Sequence, residues 1–337
     1  MLRLYRLVQN EVVKMLRKKR LYIVLGILLI MISAFAYGQY HSLDRTREQL
    51  AKRIGMTDTG DWRKLAEQQI IDMKNRLDSH YMDEEHNSTT RVRMEQLQYY
   101  LDNNINPVDI SGARFTTRFI EQSIYLFLPL LMILLAADMV SGELAGGTVK
   151  LLLTRGVPRW KVLLSKYIAL LLLELNVVFF TLLISVAVSG IFFGYGGWTE
   201  PVATGFQVAA GKLITSNVVN VPQWQYLLMV YGLAYFVMVV VGTVSFMISV
   251  LVKSTAASIG IMLSTLVSGT FLSSFLADWT LPRYLFMVNM RLTDYISGSL
   301  RPIEGMNLTF SLTVLAAWMV AAIVVSFWYF TKRDILV

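Results

Sequence analysis

The sequence has no cysteine. Disulfides and thiolate metal centres are therefore excluded, and any folded part outside a membrane must hold together by packing alone. Three histidines, His41, His80 and His86, are too few for a histidine-rich metal centre. Charge is scarce as well. Only 16% of the 337 residues are Asp, Glu, Lys or Arg, against about a quarter in soluble domains. In their place stand hydrophobic residues, 55% of the chain. A water-soluble fold cannot hide that much apolar surface, whereas hydrocarbon can serve as the solvent. The net charge of +8 raises the question of nucleic acid. No nucleic-acid motif is present, and the basic residues crowd beside apolar segments, where they orient helices and meet anionic membrane lipid.

A membrane span needs about 20 mostly apolar residues. Six stretches qualify, at about residues 21–40, 119–139, 167–193, 224–251, 256–276 and 308–330. The expected fold is an all-α membrane protein with six transmembrane helices. With the N-terminus inside, the short inner segments (1–20, 140–166, the link at Lys253 and the tail 331–337) carry fifteen basic residues. The short outer loops 194–223 and 277–307 carry four: Lys212, Arg283, Arg291 and Arg301. This bias places both termini in the cytoplasm of a cell-membrane protein. The run Arg17-Lys18-Lys19-Arg20 before the first apolar stretch reads as a signal anchor that stays in place, since no small-x-small site follows at Gly38-Gln39-Tyr40.

Three extramembrane features are expected. Residues 1–20 form an amphipathic interfacial helix, with Leu4, Leu7, Val8, Val12 and Met15 on one face and Arg3, Arg6, Asn10, Lys14 and Arg17 largely on the other. Residues 41–118 form an extracytoplasmic helical domain. In it, Trp62, Leu65, Ile70, Met73 and Leu77, and then Met94, Leu97 and Leu101, recur at helical spacing, so an antiparallel helical pair is expected. Asp83-Glu84-Glu85-His86-Asn87-Ser88 reads as the turn between them, and Pro107 and Gly112 return the chain to the bilayer. In the outer loop 277–307, the apolar core from Tyr284 to Met290 is too short to span, which fits a short re-entrant or surface helix.

The most informative stretch is the cytoplasmic loop 140–166. Glu143 stands near a helix start, where negative charge is favoured. Thr148 to Leu153 is a short apolar turn, broken by Gly156 and Pro158. Arg159 to Lys166 then opens the third span with a basic turn. Two readings fit these residues: a structured basic loop that obeys the positive-inside bias, or a short helix lying across the membrane face with its apolar side free for another protein.

The order Glu143, Gly147-Thr148, Leu152-Leu153, Arg155, Pro158-Arg159 and Lys166 resembles the signature of ABC-2 type permeases, the six-span membrane subunits of ABC exporters. Ser141-Gly142 stand where that family often has a base. The N-terminal surface helix, the six-span layout and the short outer helix before the last span are similar too. The resemblance implies that 140–166 is a coupling-helix loop seated in a groove of an ATPase subunit. It implies two ABC ATPase subunits and a second permease copy or homologous permease as partners, with ATP and Mg used by the ATPase and no cofactor bound by this chain. The substrate would be a peptide, lipid-linked or drug-like molecule. A P-loop within the chain is rejected: Gly205 to Leu213 has one intervening residue too many and lacks the hydroxyl after Lys212. No catalytic residue or metal site is assigned.

Further candidates stand beside this loop. Glu174, about 12 Å beyond Lys166 along a helix, falls within hydrocarbon, where an ionisable side chain points to a pathway or an interhelical partner. With Asn176 it forms the possible translocation path. Asp138 ends the second span and is expected to pair with Arg155 or Lys166. His80, Asp83, Glu84, Glu85 and His86 have metal-ligand chemistry but no defensible spacing, and read as a solvated acidic turn. Ser258, Gly260, Ser264, Ser268 and Gly269 permit close helix approach, and Trp198, Trp224, Trp279 and Trp328 read as interfacial belt residues. The runner-up function is a membrane immunity or sensor protein that binds a lipophilic peptide without pumping it.

Overall fold

The computed structural model describes residues 2–54, 61–78, 84–107, 111–147, 157–209, 211–275, 281–299 and 305–332. Most of them are helical. Helix α1 (Leu2–Arg17) has no acid in its first turn and carries Lys14 and Arg17 in its last, a charge order that suits the helix dipole at its C-terminal end. Lys19 then takes a left-handed φ of 58°, which turns the chain directly into α2 (Arg20–Ile54). Five helical stretches are long and apolar enough to cross a membrane: Arg20–Leu43, Phe127–Ala145, Arg159–Phe193, Gln223–Leu251 and Leu308–Lys332. A shorter apolar stretch covers Thr255–Gly269.

The first predicted span does not end at residue 40. Helix α2 runs on unbroken to Ile54, about 16 Å past Leu43 at 1.5 Å per residue. It leads to α3 (Trp62–Asp78) and α4 (Glu84–Asp102), which pack on each other as the expected helical pair. The acidic turn is shorter than read from sequence, because Glu84 to Ser88 already belong to α4. Asp83 and His80 lie outside the described residues.

The second predicted span, 119–139, is broken. Helix α5 (Gly112–Ser123) ends before Leu126, whose φ of −134° and ψ of −59° interrupt the helix, and α6 (Phe127–Ala136) follows. A turn leads into α7 (Ser141–Ala145), which carries Glu143 in its first turn, as expected. Helix α8 (Arg159–Phe193) starts on Pro158 and stops at Gly194, which has a φ of +78°. Pro fits ahead of a first turn and Gly fits a stop with positive φ. Its 35 residues extend about 52 Å, well past a hydrocarbon core of about 30 Å.

Loop 194–223 corrects the all-α expectation. It holds four short strands. β1 (Pro201–Thr204) pairs antiparallel with β4 (Val219–Pro222), and β2 (Gln207–Ala209) pairs with β3 (Lys212–Ile214) inside that loop. Phe206 is buried there against Tyr99 and Tyr100, with ring centroids 5.3 and 6.0 Å away. Leu213 donates its backbone N–H to Glu95 Oε2 at 2.8 Å. The strands thus tie the α3–α4 pair to the bundle. Gly205 and Lys212, the nearest approach to a P-loop, belong to this strand region.

Helix α9 (Gln223–Leu251) is the centre of the bundle. It is apolar all round, as a helix between apolar neighbours and hydrocarbon should be, and packs against α5, α6, α8, α10 (Thr255–Phe275) and α12 (Leu308–Lys332). The short outer helix expected near Tyr284–Met290 is instead two 3-10 turns, Pro282–Tyr284 and Phe286–Asn289, followed by α11 (Thr293–Ser297). Buried Asn289 holds them, donating to the carbonyls of Arg283 and Leu285 at 2.8 Å each and accepting from Ser311 Oγ at 2.7 Å.

Candidate functional site: a buried ion network at the α1 end of the bundle

Helices α1, α7 and α8 meet at one end of the bundle, and each brings charge to the junction. The Lys166 side chain is only 2% exposed. Its ammonium donates to Glu143 Oε1 at 2.6 Å and to Glu11 Oε2 at 2.8 Å. Lys14 also pairs with Glu143 Oε1. Two cations therefore face two carboxylates; Lys166, Glu11 and Glu143 are buried, where a charge is tolerated only if partnered, and Lys14 reaches in from a partly exposed position. Burial pulls the Lys14 pKa below its ordinary range, helped by the neighbouring Lys166 cation and opposed by Glu11.

A second group adjoins the first. Asp138 Oδ2 accepts from Lys18 at 2.7 Å and from Arg20 at 2.8 Å, and its Oδ1 accepts from Thr255 Oγ1 at 3.1 Å. The expectation that Asp138 pairs with Lys166 is thus corrected: Glu143 and Glu11 take that lysine. Arg155, the other partner expected for Asp138, lies outside the described residues. Gly142 makes the close approach possible, since a Cβ there would sit 2.3 Å from Asp138 Oδ1. Ser249 fixes the turn from α9, accepting from the backbone N–H groups of Val140 at 3.0 Å and Ser141 at 2.9 Å. A cavity of about 30 Å³ lies among Glu11, Lys14, Lys18, Arg20, Asp138 and Glu143, room for about one water.

Of the residues singled out in the loop, Glu143 and Lys166 are brought together. Gly147 ends the α7 side with a φ of +68°. Pro158 and Arg159 open α8, where Arg159 Nη1 donates to the Thr331 carbonyl of α12 at 3.4 Å. Thr148, Leu152, Leu153 and Arg155 lie outside the described residues. Beside the loop, Trp160 is 47% exposed, with Lys161 Nζ 5.4 Å from its ring centroid.

Glu174 and Asn176 are not brought together. Glu174 is fully buried in α8, and neither carboxylate oxygen has a hydrogen-bond partner among the described residues. It fits because α9 has Gly242 opposite; a Cβ there would come within 1.7 Å of Glu174 Oε1. Asn176 points away from the bundle interior, exposed, and donates to the Leu172 carbonyl at 2.7 Å. The two residues thus face different surroundings: Glu174 is a buried carboxyl at the α8–α9 contact and Asn176 is exposed.

Sequence reasoning missed Glu11, and took Lys14, Lys18 and Arg20 only as surface or orienting charge. One signal was available. Glu11 is the sole acid among seven bases in residues 1–20, an odd choice for a purely basic face.

Comparison with known proteins gives a family and no activity. Over 334 residues, 98% of both chains, the sequence is 27% identical to the uncharacterized protein YhcI of Bacillus subtilis (strain 168). Over 219 residues, 64% of this chain and 80% of the relative, it is 26% identical to the uncharacterized membrane protein YdbK of the same organism. The match to one family, described as protein of unknown function (DUF2705), covers residues 87–336. That range includes Asp138, Glu143, Lys166, the central helix α9 and the strand region, so the chain belongs to the DUF2705 family.

Proposed function

We propose that the chain is the membrane-spanning permease subunit of an ABC transporter of the ABC-2 type. It would export a peptide, lipid-linked or drug-like substrate, driven by two separate ATPase subunits and working beside a second permease copy or a homologous permease. In this reading α10 is the fifth of six spans and α12 the sixth, both termini are cytoplasmic, and residues 140–166 are the coupling loop.

The observation that carries the reading is the Glu143–Lys166 pair, 2.6 Å long. These two residues flank the segment expected to dock on the ATPase. A push on that segment meets a pinned joint, so α1, α7 and α8 move together instead of the loop yielding alone. Packed, charge-locked elements shift as units rather than deform continuously. Exposed Trp160 supports a partner surface beside the joint, since Trp and Arg dominate interface energetics.

The test is purification of the tagged chain from its native membrane with mass spectrometry and ATPase assay of the captured chains, comparing wild type with Trp160→Ala and Arg159→Glu. The expected outcome is at least a tenfold loss of ATPase capture and of transport-coupled hydrolysis, with the melting temperature of the chain unchanged. A native complex that contains no nucleotide-hydrolysing chain, or full capture by both variants, overturns the proposal.

A further inference from the structure

A cavity of about 440 Å³ lies at the other end of the bundle from the ion network, walled by α2, α3, α4, α5, β1 and the start of α9. Its volume is in the range of small-ligand sites, about 300–1,000 Å³. The charged groups on its wall are unbalanced. Among the described residues Arg93, Arg114 and Arg118 line it, against one carboxyl, Glu121. That carboxyl is engaged, accepting from Tyr226 Oη at 2.7 Å. Arg114 is engaged as well, with Glu200 at 3.3 Å and the carbonyl of Asn106.

Arg118 is different. A guanidinium offers five N–H donors, and among the described residues this one makes a single long contact, Nη2 to the Pro107 carbonyl at 3.4 Å. Burial lowers its pKa; the nearby Glu121 carboxylate opposes that and the Arg114 cation adds to it. The cation therefore sits in a poor solvent with most of its donors open to the cavity. An oxyanion entering that space would accept from a fork built for it and would offset the cation excess. Leu43, Leu65 and Leu97 on the same wall leave room for a short apolar part.

We propose that this cavity is an anion-binding site in which Arg118, supported by Arg93 and Arg114, holds a phosphate-class oxyanion, either a free ion or the headgroup of an anionic phospholipid. The site does not rest on the permease reading, and its test uses the chain without any ATPase.

The full chain in neutral detergent is titrated with sodium phosphate against sodium chloride at matched ionic strength, with melting temperature as the readout. A saturable rise is expected for wild type and for Arg91→Gln, an exposed position on α4 outside the cavity. For Arg118→Gln the apparent affinity should fall at least tenfold. Arg93→Gln, on an exposed side chain of α4, stands in should Arg118→Gln fail to fold, and should weaken binding at least threefold. A second arm measures by native mass spectrometry the lipid retained from nanodiscs of phosphatidylglycerol or phosphatidylcholine. A phosphate response without lipid retention identifies a free anion, and preferential retention of phosphatidylglycerol that Arg118→Gln or Arg93→Gln weakens identifies a headgroup. Either supports the site. Neither response in wild type, or responses equal in wild type, Arg118→Gln and Arg93→Gln, overturns it.

Discussion

Lys166 and Glu143 are 23 residues apart in sequence, and their charged atoms meet at 2.6 Å. Helix α7, which carries Glu143, and α8, which carries Lys166, are thereby pinned to each other. Glu11 of α1 closes on Lys166 from the far side at 2.8 Å, so the N-terminal helix is locked to both ends of the loop. Helix α1 is therefore part of the joint.

The order of damage at this joint follows from its wiring. Lys166→Met leaves Glu11 and Glu143 buried without the cation between them, and should cost about 3–5 kcal/mol, the range for a broken buried pair. Glu143→Gln should cost less, because Lys166 keeps Glu11. Thermal unfolding of the purified variants in one detergent checks the order. Equal melting temperatures for Lys166→Met and wild type would refute it.

Sequence legibility followed the strength of local signals. Apolar runs exposed the spanning helices, and the spacing from Trp62 to Leu77 exposed α3, because burial in hydrocarbon and helix periodicity both act locally. The break at Leu126 was hidden, since residues 119–139 read as one span and the interruption comes from packing. The strands around Phe206 were hidden for a related reason. Each is three or four residues long, too short for an alternating pattern, and they are held by α4. Glu143 and Lys166 were legible as special, but their meeting was not, because it depends on α1 folding back across α8. The cavity around Arg118 joins distant elements and left no local trace at all.

Glu174 and Gly242 form a steric pair across α8 and α9. Gly242→Ala should destabilise the bundle by about 1–3 kcal/mol through overpacking. In the double variant Gly242→Ala/Glu174→Ala the carboxylate is gone and most of that loss should return. The coupling energy from the four melting curves is the measurement. Strict additivity would mean that the two side chains do not compete for the same space.

Glu121 gives a pH dependence with a defined sign. It lies on α5, before the span that begins at Phe127. Burial raises its pKa to about 7, against 4.5 ordinarily, with Tyr226 and Arg118 holding the shift back. The folded chain therefore keeps this proton at pH values where the unfolded chain has released it. Stability from this group is greatest below about pH 4.5, falls as pH rises toward about 7, and is flat above. Glu121→Gln, which keeps the acceptor for Tyr226, should flatten the melting temperature between about pH 5 and pH 7 and raise it at pH 8. A wild-type profile that rises across the same interval would contradict the assignment.

The absence of cysteine makes the orientation directly measurable, because any introduced thiol is the only one in the chain. Arg17 ends α1, exposed Trp160 lies just inside α8, and exposed Gln98 lies on α4 in the opposite half of the molecule. If the positive-inside bias sets the topology, a membrane-impermeant maleimide added to intact cells should label Gln98→Cys and leave Arg17→Cys and Trp160→Cys unlabelled. Inverted vesicles should reverse the pattern. Labelling of Trp160→Cys from outside intact cells would put the loop beyond reach of any cytosolic ATPase and end the permease proposal. Labelling of Gln98→Cys from the cytosolic side would instead put the Arg118 cavity on the cytosolic face, leaving its chemistry intact but changing which pool of phosphate or lipid it meets.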